Sequence, residues 1–205
     1  MSQPSEKSTT ITRTVAGFVH WKVHDDRLDF RSDAYGVPTP AGLLLIDPLP
    51  LAETALANLP EVAGILLTAG CHQRAAWQLR DRLEAPVMAP EGAELDELPD
   101  AWLEDGSRPA NDVTSRVVTG PSNPHLVILW ESDPRVLFVG DLLMRDGDDS
   151  PFAPVPATHH EDYGATRLAV AGLLACAPDW LCPAHGAASA NARSTVEAAL
   201  AAWPE

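Results

Sequence analysis

Cys71 and His72 stand side by side in GILLTAGCHQRAAW, residues 64–77. Thiolate and imidazole are good ligands for zinc or iron, and a thiol beside an imidazole is also the pairing that nucleophilic catalysis uses. The next two residues oppose a metal. Gln73 brings a neutral amide, and Arg74 a guanidinium that stays protonated, cannot ligate and repels a cation. Two more candidates lie in turns further along, Asp141 after LFVG and His185 in CPAHG. Cys71, Asp141 and His185 are the residues that could share one ion. Cys71 alone could act as a nucleophile with a nearby His as base, although nothing in the sequence orients that base. The plainer expectation is a buried Cys71 thiol beside a helix-start His72. His185 is expected to hydrogen-bond within its pocket and Asp141 to brace adjacent loops. His20, His24, His159 and His160 read as solvated side chains, and Asp25, Asp26 and the run DGDDS at 146–150 as solvated turns.

The elements that must position these residues are legible as apolar runs. ITRTVAGFVHWKVH and AYGVPTPAGLLLID read as meandering antiparallel strands, and LLLID as a strand covered on both faces. LAETALANL gives a short helix and GILLT another buried strand. Ala76, Leu79 and Leu83 fall at helical spacing in HQRAAWQLRDRL, and APVMAP is a short strand between prolines. An acidic, loop-like stretch runs from Glu91 to Asp112, with a strand or turn at AWLEDG. SRVVTG, HLVILWE and RVLFVGD are three strand signals in close order. The helix YGATRLAVAGLLAC, the segment DWLCPAHG and a last helix, ARSTVEAALAAW, follow. Two groups of strands, each followed by helices, predict a layered α/β sandwich with its chemistry in strand-ending loops.

Composition narrows the function. With 14 Lys and Arg against 29 Asp and Glu, the net charge of −15 repels phosphate backbones and anionic bilayers, so neither nucleic acid nor membrane is an expected partner. The first residues carry no apolar leader segment, and three cysteines (71, 176 and 182) with no CxxC pair read as reduced thiols, so a cytoplasmic protein is expected. Residues 1–10 are polar and unpatterned and are expected to be a disordered tail, with one domain over residues 11–205.

In their order and separation, the turns resemble the metallo-β-lactamase fold family, in particular its glyoxalase II-like hydrolase branch. AYGVPTPAGLLLIDPL is similar to that family's opening strand pair, GILLT and its helix to the strand that delivers a His-x-His-x-Asp-His motif, and RVVTGPSNPHLVILWESDPRVLFVGDLL to its central segment. WLCPAHG resembles its terminal Pro-Gly-His-Gly. The resemblance implies a four-layer αββα sandwich and, in intact members, a dinuclear metal site. Carried over position by position, the ligand residues become Ala69, Cys71, Gln73, Arg74 and Pro121, and only Asp141 and His185 match.

The expectation that follows is a relative without the metal centre, with no cofactor and without the family's hydrolase activity. Its cleft, lined by Cys71, His72, Arg74, His125, Asp141 and His185, would serve a small molecule or a partner, a second copy of the chain included. An Arg74–Asp141 ion pair would replace the charge of the metal. The alternative is a hydrolase of thioester- or lactone-like substrates with zinc or iron in a residual mononuclear site. A third reading is a cysteine-dependent activity centred on Cys71.

Overall fold

The computed structural model describes residues 3–204. The chain has two compact units, Met1–Leu103 and Glu104–Glu205.

In the first unit β1 (Thr12–Arg13), β2 (Val19–Asp25), β3 (Phe30–Thr39), β4 (Gly42–Ile46), β5 (Val62–Leu66), β6 (Val87–Pro90) and β7 (Ala101–Leu103) form one sheet in chain order. The first four strands pair antiparallel through tight turns. From β4 to β7 the pairing is parallel, which requires crossovers. Helices α1 (Glu53–Leu56) and α2 (Ala76–Leu83) lie in the first two crossovers. The α1 helix is shorter than LAETALANL suggested, because Pro60 disfavours helical backbone at Leu59. In β4, Leu43 to Ile46 are all buried, as a strand with both faces covered must be. Trp77 and Leu79 of α2, with Trp21 of β2, pack against Leu45, Ile65 and Leu67 in the core of this unit.

One consequence of the register matters for the site. Ile46 lies opposite Leu66 in the parallel pair, so Asp47 and Thr68, just beyond the two strand ends, leave the sheet next to each other.

The second unit is a four-stranded sheet in the order β11 (Trp180–Pro183), β10 (Val136–Gly140), β9 (His125–Trp130) and β8 (Val113–Val118). Helix α3 (Tyr163–Gly172) runs on into a 3-10 turn at Leu173–Cys176, and α4 (Ala192–Ala201) ends the unit. The Asp162 side chain accepts from the Ala165 amide at 2.7 Å and caps α3. Val139, Leu142, Leu143, Val170, Leu181 and Val196 form the core of this unit.

Ser8 lies beside the segment that follows β4. The Ser8 amide donates to Pro50 O at 2.9 Å, and Ser8 O accepts from the Ala52 amide at 2.9 Å. Residues 1 and 2 lie outside the described residues. No helix among the described residues is long and apolar enough to cross a membrane.

The turn that carries His185 depends on Gly186. Its φ is +106°, and a Cβ there would lie 2.6 Å from Arg145 O. Gly186→Ala is therefore expected to destabilise the protein by about 1–3 kcal/mol through strain and backbone crowding. A urea midpoint equal to that of the wild type would show that the turn yields without cost.

Candidate functional site

The turn from Thr68 to Ala75 carries a network that reaches the end of β4. The Asp47 carboxylate accepts from the Thr68 amide at 2.8 Å and the Thr68 hydroxyl at 2.5 Å. His72 Nδ1 lies 2.9 Å from Asp47 Oδ2 and 2.8 Å from Thr68 Oγ1. With the hydroxyl committed to Asp47, Nδ1 is the protonated ring nitrogen and donates. Asp47, His72 and Arg74 are each about 3% exposed. Asp47 and Arg74 also hold left-handed backbone, with φ of 47° and 39°. For a long side chain such as arginine this conformation is costly, and it persists only where the surroundings over-determine it.

Arg74 supplies that determination. Its Nη1 donates to the backbone carbonyls of Asp33 at 2.9 Å and Asp47 at 3.1 Å. Within its own unit the guanidinium is held by these carbonyls, which lie beside it once β3 and β4 are paired. Its charge acts on Asp47 and Asp25. Burial raises the Asp47 pKa, but the charge of His72 and its hydrogen bond, the charge of Arg74 and the Thr68 hydroxyl outweigh it and hold the carboxyl below its ordinary value.

Gln73, at another ligand position, is equally engaged. Its side-chain nitrogen donates to Gly70 O at 2.9 Å, while its oxygen accepts from Trp77 Nε1 at 2.8 Å and from the Asp96 amide at 2.6 Å. It ties the turn to α2 and to the acidic loop. Ala69 is fully buried and offers no donor atom. Cys71 corrects the expectation of a buried thiol. The thiol is exposed and the neighbouring imidazole is buried, because the 3-10 turn Gly70–His72 points His72 back at Asp47.

Two further carboxylates belong to this end of the sheet. Asp33 is fully buried between Arg31 at 2.6 Å and His20 Nε2 at 2.6 Å. Asp25, expected as a solvated turn residue, is fully buried and paired with Arg27 at 2.5 Å, while Asp26 is exposed. Burial pushes the Asp25 pKa up, but the hydrogen bonds and charge of Arg27, with the charge of Arg74, carry it below the ordinary value of 3.8. Depressed carboxyl pKa values make the sign of the pH effect definite. The stability from Asp25 and Asp47 is complete above the unfolded-state value and is lost as pH falls through the folded-state values. The urea midpoint is expected to be flat from neutral pH to about pH 5 and to fall below about pH 4; a rise on acidification would contradict this.

In the second unit Asp141 follows β10 and His185 follows β11, and their side chains meet, with Nε2 3.3 Å from Oδ1. His185 is 8% exposed. His125, the first residue of β9, is fully buried, and its Nε2 donates to Val139 O at 3.2 Å. Pro121 is half-buried in the loop after β8. His160, read as solvated, contacts Thr166 Oγ1 at 2.9 Å and Val155 O at 3.0 Å, while His159 is exposed.

The donor set decides whether a dinuclear metal centre fits. Ala69 and Pro121 have no donor, Arg74 is a buried cation, and the Gln73 amide is already saturated. Of the positions that the resemblance assigns, Cys71, Asp141 and His185 carry metal-binding groups, and His72 stands beside Cys71 as a further imidazole.

Sequence reasoning missed Asp47, Thr68, Asp33 and Asp25. Asp47 was visible as the acidic end of LLLID, a charge closing an apolar strand, and it carries the network.

Known proteins place the chain. A family model described as the metallo-beta-lactamase superfamily matches residues 58–185. No protein with a curated description matches. Among solved structures, DIM-1 metallo-beta-lactamase is 15% identical with a TM-score of 0.74, over 96% of this chain and 99% of that one. FIM-1 from Pseudomonas aeruginosa in its mono-zinc form is 13% identical with a TM-score of 0.73, over 98% and 96%. TTHA1623 in a di-iron-bound form is 25% identical with a TM-score of 0.63, over 78% and 90%. The two-sheet α/β architecture is thus of the metallo-β-lactamase type that the turns resembled, and the chain belongs to the metallo-beta-lactamase superfamily.

Proposed function

We propose that this protein is a superfamily member whose dinuclear metal site is largely lost and which does not perform the family's metal-dependent hydrolysis. One observation carries the reading. The side chains at the motif positions are built into the scaffold: Arg74 braces the ends of β3 and β4, and Gln73 joins the turn to α2. A guanidinium with its charge set against Asp25 and Asp47 does the electrostatic work of a cation while being unable to activate water. The freed loops would serve as a binding surface for a small molecule or a partner protein.

The competing reading is a single zinc or iron held by the retained Cys71, Asp141 and His185, serving a hydrolase of thioester- or lactone-like substrates. The meeting of Asp141 and His185, with Nε2 3.3 Å from Oδ1, supports it, since two of the three ligand groups already lie together. The two readings separate in an assay of purified protein against β-lactam, thioester and lactone substrates, with zinc, iron or manganese added. The proposal expects no metal-dependent turnover. Turnover that a chelator abolishes and the metal restores would overturn it.

A further inference from the structure

We propose that the groove between α3 and β8 in the second unit binds an amphipathic monocarboxylate of the fatty-acid kind, its chain along α3 and its carboxylate on Arg116. The groove follows from the layering. Thr114, Arg116 and Val118 of β8 lie opposite Leu129, Val127 and His125 of β9, and residues opposite each other share a face. Val127 and Leu129 belong to one buried cluster with Val170 of α3 and Leu173 of the turn after it. On β8, the edge strand, the same face is open: Arg116 is exposed and Val118 half-buried. Across the opening α3 presents Ala165, Leu168, Ala169 and Gly172, spaced i, i+3, i+4 and i+7 on one side of the helix. Because Ala165, Ala169 and Gly172 are small, a cavity of about 710 Å³ remains, within the size range of small-molecule sites. A Cβ on Gly172 would meet nothing within 4 Å. Leu168 is 73% exposed, apolar surface that an aliphatic chain would cover.

Charge decides the occupant. The Arg116 guanidinium lines the groove and has no hydrogen-bond or ion-pair partner among the described residues. Its planar fork suits a carboxylate. Thr114, two residues away on the same face, has a buried hydroxyl without a partner, to which a carboxylate on Arg116 would bring an acceptor. Asp105 also lines the groove; its carboxylate accepts from the Val117 amide at 3.1 Å and makes no ion pair with Arg116. Its negative charge disfavours a second charge on the ligand, so a monocarboxylate suits the groove better than a phosphate. An added peptide strand is disfavoured as well, because the outer edge of β8 is occupied. Ser115 donates to Ser107 O and accepts from the Gly106 amide, each at 2.9 Å, and Asp105 holds the Val117 amide. None of the lining residues stands at a position that the resemblance assigns to a metal ligand, so binding here does not depend on a metal.

Calorimetric titration of the whole protein with decanoate, below its micelle concentration, tests this. Saturable binding of one decanoate per chain is expected, with decanol weaker by about tenfold or more because it brings no charge to Arg116. Arg116→Gln should weaken decanoate by a similar factor of about ten or more. Gly172→Leu should abolish binding by filling the groove. Both variants are expected to fold. Arg116 is exposed, and Gly172 has ordinary helical backbone (φ −63°, ψ −22°) with room for a side chain, where leucine is the better helix former. Urea midpoints no lower than that of the wild type check this. No saturable binding, equal affinity for decanol, or unchanged affinity in folded Arg116→Gln or Gly172→Leu would each overturn the proposal. A dimer in sedimentation that Gly172→Leu dissociates, with no decanoate bound, would overturn it in favour of a second copy of the chain in the groove.

Discussion

Replacing Arg74 with methionine is expected to lower folding stability by about 3–5 kcal/mol, the cost of removing one member of a buried charged arrangement. Methionine keeps much of the stem, so the loss isolates the guanidinium. It leaves the carbonyls of Asp33 and Asp47 without their donor and the Asp47 and Asp25 charges less compensated. It also leaves a residue with left-handed backbone at φ 39° and no side-chain contact to hold it there. Urea unfolding followed by circular dichroism measures the effect. A loss below about 1 kcal/mol would show that Arg74 is a bystander rather than the brace.

The second large effect is expected at Asp47. Asp47→Ala removes the acceptor of three buried donors at once, the Thr68 amide, the Thr68 hydroxyl and His72 Nδ1. Each orphaned donor costs about 1–3 kcal/mol, less than additively because Thr68 and His72 also contact each other, so a total near 3–4 kcal/mol is expected. The acid-induced fall in stability should flatten in the same variant, since one of the carboxylates with a lowered pKa is gone. Arg74→Met and Asp47→Ala touch one network, and combining them should cost less than the sum of the two by about 1–2 kcal/mol. Strict additivity would mean that the two residues do not act together.

How much of this was legible in the sequence follows from what kind of signal each feature leaves. The β4 and β5 strands announced themselves, because a strand buried on both faces is a continuous apolar run, as Leu43–Ile46 is. Helix α2 was visible through the spacing of Ala76 and Leu79. The departures from the ligand motif are a reading of residue types at positions that the resemblance assigns. What those residues do instead was not legible. Within its unit Arg74 donates to backbone carbonyls, which carry no residue signal at all. Asp25 looked like a solvated turn residue next to Asp26; burial separates the two, and alternation along β2 places Asp25 on the inward side. Cys71 was expected to be buried and is exposed, since the 3-10 turn that swings the His72 ring onto Asp47 has no periodic pattern.

These features converge on one idea. In the family that the turns resemble, this strand end delivers metal ligands. Here the same strand end is held by Asp47, His72, Gln73 and Arg74 through hydrogen bonds and an ion pair.

The metal content of the protein tests this most directly. Elemental analysis of protein purified without chelator, for zinc, iron and manganese together, is expected to find far less than one metal per chain, unchanged by Asp141→Ala or His185→Ala. One metal per chain that is lost in either variant would contradict the account.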